Sequence, residues 1–319
     1  MRDQFGRTID YMRISITDRC NLRCRYCMPN GVEFLDHSEI LRYEEILQIA
    51  QAAVELGIVN FKVTGGEPLV RRDCVDFIRR LKELPGVETV TLTTNGVLLA
   101  SLAQKLARAG VDWVNISLDT SDWEEYAAIT GFDALDKVLA GMDTCQEAGL
   151  PFKLNCVLLE GSQDRLIPLA RFAQERPIDV RFIEMMPIGL GMGHSGIAWE
   201  EALALLRREW PDLRPAEERR GNGPARCYAS RALRGRIGVI DAVSHKFCGQ
   251  CNRVRLTSTG QLKPCLCYGD GTDLRVILRT CPEKLTDALR KAIFHKPQAH
   301  CFDQAGEITE QKVMSQIGG

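Results

Sequence analysis

Nowhere does this 319-residue chain hold the ~18 consecutive apolar residues that a membrane span requires, so no membrane partner is expected. The opening Met1-Arg2-Asp3-Gln4-Phe5-Gly6-Arg7 lacks the apolar core of a signal peptide, which points to a cytoplasmic protein. A formal charge of −1 lacks the basic excess of a general nucleic-acid binder, and no nucleic-acid partner is expected. A few placed Arg and Lys residues still suffice for a small anion. There are no internal repeats and no low-complexity tracts. Apolar and charged contents of 45% and 26% are those of an ordinary globular chain, long enough for one large or two medium domains. Disulfides are not expected in a large chain without a leader, so its thirteen cysteines point to metal.

Three of them stand in the run Cys20-Asn21-Leu22-Arg23-Cys24-Arg25-Tyr26-Cys27. Three thiolates can hold three irons of a cubane cluster and leave the fourth iron open to a chelating small molecule. A four-cysteine site would be closed and suited to electron transfer. The alternative is zinc, but structural zinc wants four ligands, and zinc pairs usually run C-x2-C to C-x4-C.

From residue 12 to about 208, short β-rich runs alternate with amphipathic stretches. Strands are expected at 12–17, 60–64, 89–93, 113–118, 152–158 and 180–184, each β-branched or apolar as buried parallel strands are. Helices are expected at 43–56, 73–84, 98–109, 134–148 and 166–174, with Gly57, Gly110 and Gly149 at C-terminal cap positions. Repeated βα units imply a parallel sheet. Six units suit an α/β fold of the incomplete (β/α)6 barrel type, with a doubly wound open sheet as the alternative. The charged, glycine-rich stretch 211–225 marks an expected boundary between a barrel domain, 1–225, and a C-terminal region, 226–319, with a strand-like run at 236–243 and a helix near 282–294.

In βα barrels the reactive face lies at the C-terminal ends of the strands. The first cysteine loop follows the first strand, and Thr64-Gly65-Gly66-Glu67-Pro68 follows the second. Paired glycines let backbone approach a ligand, although alone they are also a plain turn. Thr93-Thr94-Asn95-Gly96 and Asn115-Ile116-Ser117-Leu118-Asp119 end the next two strands and are candidate cofactor contacts or helix caps. A second group, Cys248-Gly249-Gln250-Cys251 with Cys265, has the spacing C-x2-C-x13-C. It reads as another three-cysteine cluster, or as a zinc knuckle completed by Cys267 or His245.

The order C-x3-C-x2-C followed by Gly-Gly-Glu-Pro resembles the radical S-adenosylmethionine (SAM) superfamily. Residues 247–265 (FCGQCNRVRLTSTGQLKPC), 13–20 (RISITDRC), 64–73 (TGGEPLVRRD) and the terminal Gly318-Gly319 together resemble the GTP 3′,8-cyclase family within it. The resemblance covers nearly the whole chain. It implies a [4Fe–4S] cluster on Cys20, Cys24 and Cys27 that cleaves SAM, with Tyr26, Gly66, Glu67, Thr94, Asn95, Ser117 and Met186 around the cofactor. It implies a second [4Fe–4S] cluster on Cys248, Cys251 and Cys265 that binds the guanine of GTP.

The family reaction abstracts the ribose 3′ hydrogen and closes a 3′,8 bond, beginning molybdenum cofactor biosynthesis. Arg13, Lys62, Lys153, Arg181, Arg253 and Arg255 are implied at the triphosphate, where Arg forks suit phosphate geometry. Catalytic parts are implied for Arg13, Arg253, Arg255, Gly318 and Gly319, the last two as a tail that presents its carboxylate to an Arg. The implied partners are a flavodoxin or ferredoxin as electron donor and cyclic pyranopterin monophosphate synthase as recipient of the product. The active form is expected to be a monomer or homodimer.

One departure stands out. Family members read basic-x-Arg before Thr-Gly-Gly-Glu-Pro, whereas this chain reads Asn60-Phe61-Lys62, so a weaker grip on triphosphate is expected. Arg71, Arg72 and Lys105 read as helix-face charges. Cys74, Cys145, Cys156, Cys227, Cys281 and Cys301 read as small hydrophobes, and His37, His194, His295 and His300 have no metal-ligand partner at useful spacing. Two rival classes are a radical SAM enzyme acting on peptide or RNA, which generally has a longer cysteine-rich extension, and a non-catalytic cluster or zinc sensor.

Overall fold

The run Asn60-Phe61-Lys62-Val63-Thr64 is buried at all five positions, which only a strand covered on both faces allows. In the computed structural model, which describes residues 1–319 apart from 219, 220 and 222, it lies inside a twelve-stranded sheet. The strands are β1 Tyr11–Ser15, β2 Asn60–Thr64, β3 Thr89–Thr94, β4 Trp113–Ser117, β5 Phe152–Leu158, β6 Asp179–Glu184, β7 Arg214–Pro215, β8 Arg226–Ala229, β9 Arg236–Ile240, β10 Arg253–Leu256, β11 Gln261–Lys263 and β12 Thr272–Asp273. Their order is β12-β11-β10-β1-β2-β3-β4-β5-β6-β9-β8-β7. From β10 through β9 all neighbours are parallel, and the outer pairs at each edge are antiparallel. The six expected strands are therefore present, and the C-terminal region adds one parallel strand to each side of them.

Connecting helices cover the outer face: α1 Tyr43–Glu55, α2 Cys74–Lys82, α3 Leu99–Arg108, α4 Trp123–Thr130, α5 Leu135–Glu147 and α6 Gln163–Glu175. Met12, Ile14, Phe61, Val63, Leu92, Ile116, Leu154 and Phe182 point outward into a core shared with Ile46, Ile49, Phe77, Leu106 and Met142 of the helices. Gly110 and Gly149 follow α3 and α5 with φ of +82° and +63°, the left-handed conformation that ends a helix without a Cβ clash. Helix α4 was not expected from sequence, and α6 begins three residues earlier than expected.

Inward-facing residues alternate with the core residues. Arg13, Lys62, Thr91, Asn115, Asn155, Arg181, Ile240 and Arg255, from eight different strands, line one cavity of about 620 Å³. Eight adjacent strands that face one cavity must curl around it, and the sheet ends at β12 and β7 without closing, which leaves it open. This is an incomplete barrel rather than a doubly wound sheet.

The expected boundary stretch at 211–225, which includes residues outside the described set, contains β7 and ends just before β8. These two strands pair with each other and, through β9, with β6, so chain on both sides of it shares the sheet. Beyond β9 the chain forms α8 Leu274–Thr280, α9 Leu285–Phe294 and the single turn α10 Met314–Ile317, with α7 Trp199–Glu209 preceding β7. Among the described residues no helix is long and apolar enough to cross a membrane.

Candidate active site

The first cysteine group sits just past the C-terminal end of β1. Its loop packs against the segment after β2: Gly66 N–H donates to Thr17 O at 2.8 Å and Glu67 N–H to Arg19 O at 2.8 Å. A Cβ on Gly66 would lie 2.5 Å from Arg19 O, and one on Gly65 2.6 Å from Thr17 O. The glycines thus permit this backbone-on-backbone approach and also line the cavity. Leu22 N–H and Asn95 Nδ2 point at Cys20 Sγ from 3.4 and 3.7 Å. Burial pushes the thiols of Cys20 and Cys24 up and that of Cys27 to about 12, with Glu67 adding to the rise at Cys20 and Asp119 at the other two. Unpaired thiolates are costly here, and bound iron would offset the cost.

Glu67 does not reach the cavity. Wholly buried behind it, its carboxylate accepts from Leu69 N–H (3.0 Å), Thr94 Oγ1 (2.8 Å) and Asn95 N–H (2.7 Å). Glu67 therefore positions Thr94 and Asn95, which do line the cavity, while its own side chain lies off the lining. Burial raises its carboxyl to about 7. Tyr26, also expected at the cofactor, spends its hydroxyl on Asp119 Oδ2 at 2.6 Å, and Asp119 Oδ1 accepts from Val157 N–H at 2.8 Å. Ser117 and Met186 line the cavity as expected.

The second cysteine group lies at the opposite end. Strand β10 runs parallel to β1 with Arg253 beside Tyr11, which puts Cys251 at the N-terminal mouth of the barrel. β11 returns antiparallel, Lys263 opposite Arg255, and so brings Cys265 back towards Cys251. That hairpin is the physical content of the x13 spacing. Arg7 clamps this end: its guanidinium donates to the carbonyls of Cys248, Pro297 and Gln298 at 2.7–2.8 Å and pairs with Asp3. At Cys251 burial pushes the thiol up, but Lys296 and Arg253 outweigh it and hold the group below its ordinary range. His300 joins this end through its backbone N–H, 3.4 Å from Cys248 Sγ, a contact that sequence spacing did not reveal. His245 instead faces Asp241 (2.9 Å), and Cys267 faces Cys301 with the sulfurs 2.9 Å apart, so neither completes a zinc knuckle. All six cysteines of the two groups line the one cavity. Among the described residues no three His, Cys, Asp or Glu side chains are gathered as around a single metal ion.

Between the two ends lie the cations. Arg255, Arg13 and Lys62 are side by side on β10, β1 and β2, where like charges repel. Burial, then Arg13 and Arg181, hold the Lys62 ammonium well below its ordinary range, and burial, then Arg13 and Arg253, do the same to Arg255. Lys153 pairs with Asp179 at 3.1 Å, and Arg181 donates to Asn115 Oδ1. Among the described residues, the buried Nε atoms of Arg13 and Arg181 and Oδ1 of Asn155 have no hydrogen-bond partner. Eight cationic side chains among the described residues line the cavity, the six above with Arg7 and Lys296, against one acidic side chain, that of Asp119. Concentrated, partly unsatisfied positive charge of this kind is built for a polyanion, so the residues present fit a nucleotide triphosphate.

The C-terminal tail enters the cavity. Thr64 Oγ1 donates to Gly319 O at 2.6 Å, and Arg255 Nη1 donates to Gly318 O at 2.6 Å. The arginine thus takes the Gly318 carbonyl, not the expected terminal carboxylate. Gly318 has φ of +90°, and a Cβ there would lie 2.7 Å from Ser15 Cβ, so the channel admits only glycine. The Ser315 backbone lies beside Cys27 and opposes the rise of its thiol, which brings the tail next to the first cysteine group.

Asn60 lies buried but off the cavity lining, its Oδ1 accepting from Thr89 Oγ1 at 2.7 Å. Arg71, read as a helix-face charge, instead donates to the carbonyls of Ile16 and Leu41 and stacks over Tyr43 at 4.0 Å. Arg72 and Lys105 are exposed as expected, and Cys74, Cys145, Cys156 and Cys301 are buried. Asn155, Lys296 and Arg7 were missed. Only the alternation along β5 signalled Asn155.

Residues 14–173 match the radical SAM superfamily model, and residues 178–302 match that for molybdenum cofactor synthesis C. Streptococcus suis SuiB, solved with S-adenosylmethionine bound, shares the fold, with a TM-score of 0.66 at 15% identity over 95% of this chain and 76% of that one. A partial barrel with C-x3-C-x2-C beyond its first strand thus defines the class, radical SAM. GTP 3′,8-cyclases of Clostridium perfringens strain 13 and Alkaliphilus oremlandii are 40% and 43% identical, each over 100% of both chains. That of Moorella thermoacetica is 43% identical, also over 100% of both. The chain belongs to the GTP 3′,8-cyclase family of radical SAM proteins.

Proposed function

We propose that this protein converts GTP to (8S)-3′,8-cyclo-7,8-dihydroguanosine 5′-triphosphate, the first step of molybdenum cofactor biosynthesis. The observation that carries this reading is one cavity shared by both three-cysteine groups, one at each end, with eight cations along it among the described residues. Cys20, Cys24 and Cys27 would hold one [4Fe–4S] cluster, with SAM received at the Gly66 backbone among Tyr26, Thr94, Asn95, Ser117 and Met186. When bound, that pair supplies a 5′-deoxyadenosyl radical able to take the ribose 3′ hydrogen.

Cys248, Cys251 and Cys265 would hold a second [4Fe–4S] cluster on the guanine side. Arg13, Lys62, Lys153, Arg181, Arg253 and Arg255 hold the triphosphate, fixing the ribose between the two ends. Arg13, Arg253 and Arg255 serve cyclisation by this placement. Gly318 and Gly319 close the space beside Ser15 and Thr64, excluding water from the reacting sugar. In this reading a flavodoxin or ferredoxin supplies electrons, and the product passes to cyclic pyranopterin monophosphate synthase in the cytoplasm. The enzyme works as a monomer or homodimer.

The test is anaerobic reconstitution with iron and sulfide, followed by SAM, dithionite and GTP. Two cubane clusters give about eight irons per chain, with 5′-deoxyadenosine and a cyclised GTP product. Iron for one cluster, with SAM cleaved but GTP untouched, overturns the proposal in favour of another substrate.

A further inference from the structure

The C-terminal segment is fixed upstream of the cavity by contacts that neither cofactor nor substrate uses. Lys263 on β11 stands directly opposite Arg255 on β10, and directly opposed residues point to the same side of a sheet. Two buried cations so placed repel, and the segment beyond His300 supplies a partner for each. Arg255 donates to Gly318 O. Lys263 forms an ion pair with Glu310, the two side chains 2% and 1% exposed, and also donates to Gly269 O at 3.1 Å.

Glu310 is tied in turn to the loop that carries Cys265. Its N–H donates to Cys267 O at 3.2 Å, and its Oε1 accepts from Lys312 N–H at 2.9 Å. Gly269 N–H donates to Thr309 Oγ1 at 2.9 Å, and a Cβ on Gly269 would strike Thr309 O at 2.8 Å. From there the chain crosses Gly189, where a Cβ would lie 2.7 Å from Lys312 O, and reaches α10.

We propose that the Lys263–Glu310 ion pair is the latch that positions the Gly318-Gly319 tail, making both residues positioning residues for cyclisation although neither lines the cavity. The proposal rests on the reading of the tail given above. Chain ends fray unless tied down, and the four residues of α10 are too few to hold a helix alone. Besides the Thr64 and Arg255 contacts at its tip, the segment therefore needs a fixed point upstream, and Glu310 is the buried charge nearest the tail along the chain. Removing one member of a buried pair strands the other charge, so the latch is close to all-or-none.

The experiment uses the anaerobically reconstituted holoenzyme and two variants. Glu310→Gln keeps the acceptor for Lys312 N–H but strands the Lys263 charge, and Lys263→Met with Glu310→Gln removes that charge as well. Amide hydrogen exchange of Ile317 and Gly318, iron content, 5′-deoxyadenosine and cyclised GTP are measured for each. In E310Q the tail amides should exchange ~10–100-fold faster and cyclised product per 5′-deoxyadenosine should fall ~10-fold or more, at unchanged iron content. The double variant should recover both. Unchanged tail protection in E310Q overturns the latch. So does a parallel loss of iron, SAM cleavage and product without faster tail exchange, or a double variant no better than the single. If wild-type enzyme makes no cyclised product, the activity reading fails, while amide exchange still decides the latch.

Discussion

Lys62 is the residue whose surroundings most directly tie charge to ligand. Its ammonium is depressed by burial and by Arg13, Arg181, Arg253 and Lys153, so a bound polyanion should raise its proton affinity again. The protonated form binds better, and GTP affinity should therefore rise as pH falls through the depressed titration. Isothermal titration at several pH values should show this slope in wild type and lose it in Lys62→Ala, with affinity at low pH down ~10-fold or more. An identical Kd profile for both proteins would remove Lys62 from the site.

Glu67 gives the opposite kind of linkage. Its carboxyl, ordinarily at 4.5, is raised to about 7 by burial, so the folded state holds the proton more tightly than the unfolded state does. The stabilisation is complete below about pH 4.5 and is lost as pH rises through about 7. Denaturant midpoints of wild type should thus decline relative to Glu67→Gln across that window, and parallel curves would contradict the burial argument. Nothing in Gly-Gly-Glu-Pro distinguishes a ligand carboxylate from one that carries its neighbours. Only the buried bonds of Glu67 to Leu69, Thr94 and Asn95 reveal that it carries its neighbours.

Among the elements, the tail and the β10–β11 hairpin matter most. Deleting Gly318 and Gly319 should abolish cyclised product while 5′-deoxyadenosine continues to form, as chromatography of single reactions would show. Retained cyclisation would separate the tail from the chemistry. The tail's entry into the cavity follows the resemblance read in the sequence, but its partners did not. Thr64 and Arg255 are far away in the chain and become neighbours of residues 318–319 only through β1, β2 and β10.

The six barrel strands were legible because each packs apolar side chains against helices. Strand β10 was not, since Arg253-Val254-Arg255-Leu256 is four residues long and half charged, with its arginines facing a polar interior. Helix α4 escaped notice because its sequence, Trp-Glu-Glu-Tyr-Ala-Ala-Ile-Thr, is short and has no sustained apolar face.

For the molecule as a whole, the two cysteine groups stand at opposite mouths of one barrel and should be separable. Replacing Cys248, Cys251 and Cys265 together by alanine should halve the iron and abolish GTP conversion, leaving SAM cleavage intact. Iron content equal to wild type would sink the assignment of a cluster to these three cysteines. Screening should also weaken GTP binding as salt rises, although less than at an exposed patch, because the cations are buried in the barrel.

The order of the central strands also bears on how the chain is made. β1 is paired on one side by β2, which follows it closely, and on the other by β10, which leaves the ribosome roughly 240 residues later. At ordinary elongation rates that interval is on the order of 10–50 s. Throughout it, one edge of the nascent sheet presents unpaired backbone groups, the feature that invites pairing with a neighbouring chain. A message truncated before codon 253 would release a polypeptide with that edge permanently bare, prone to aggregate however intact its first cysteine loop.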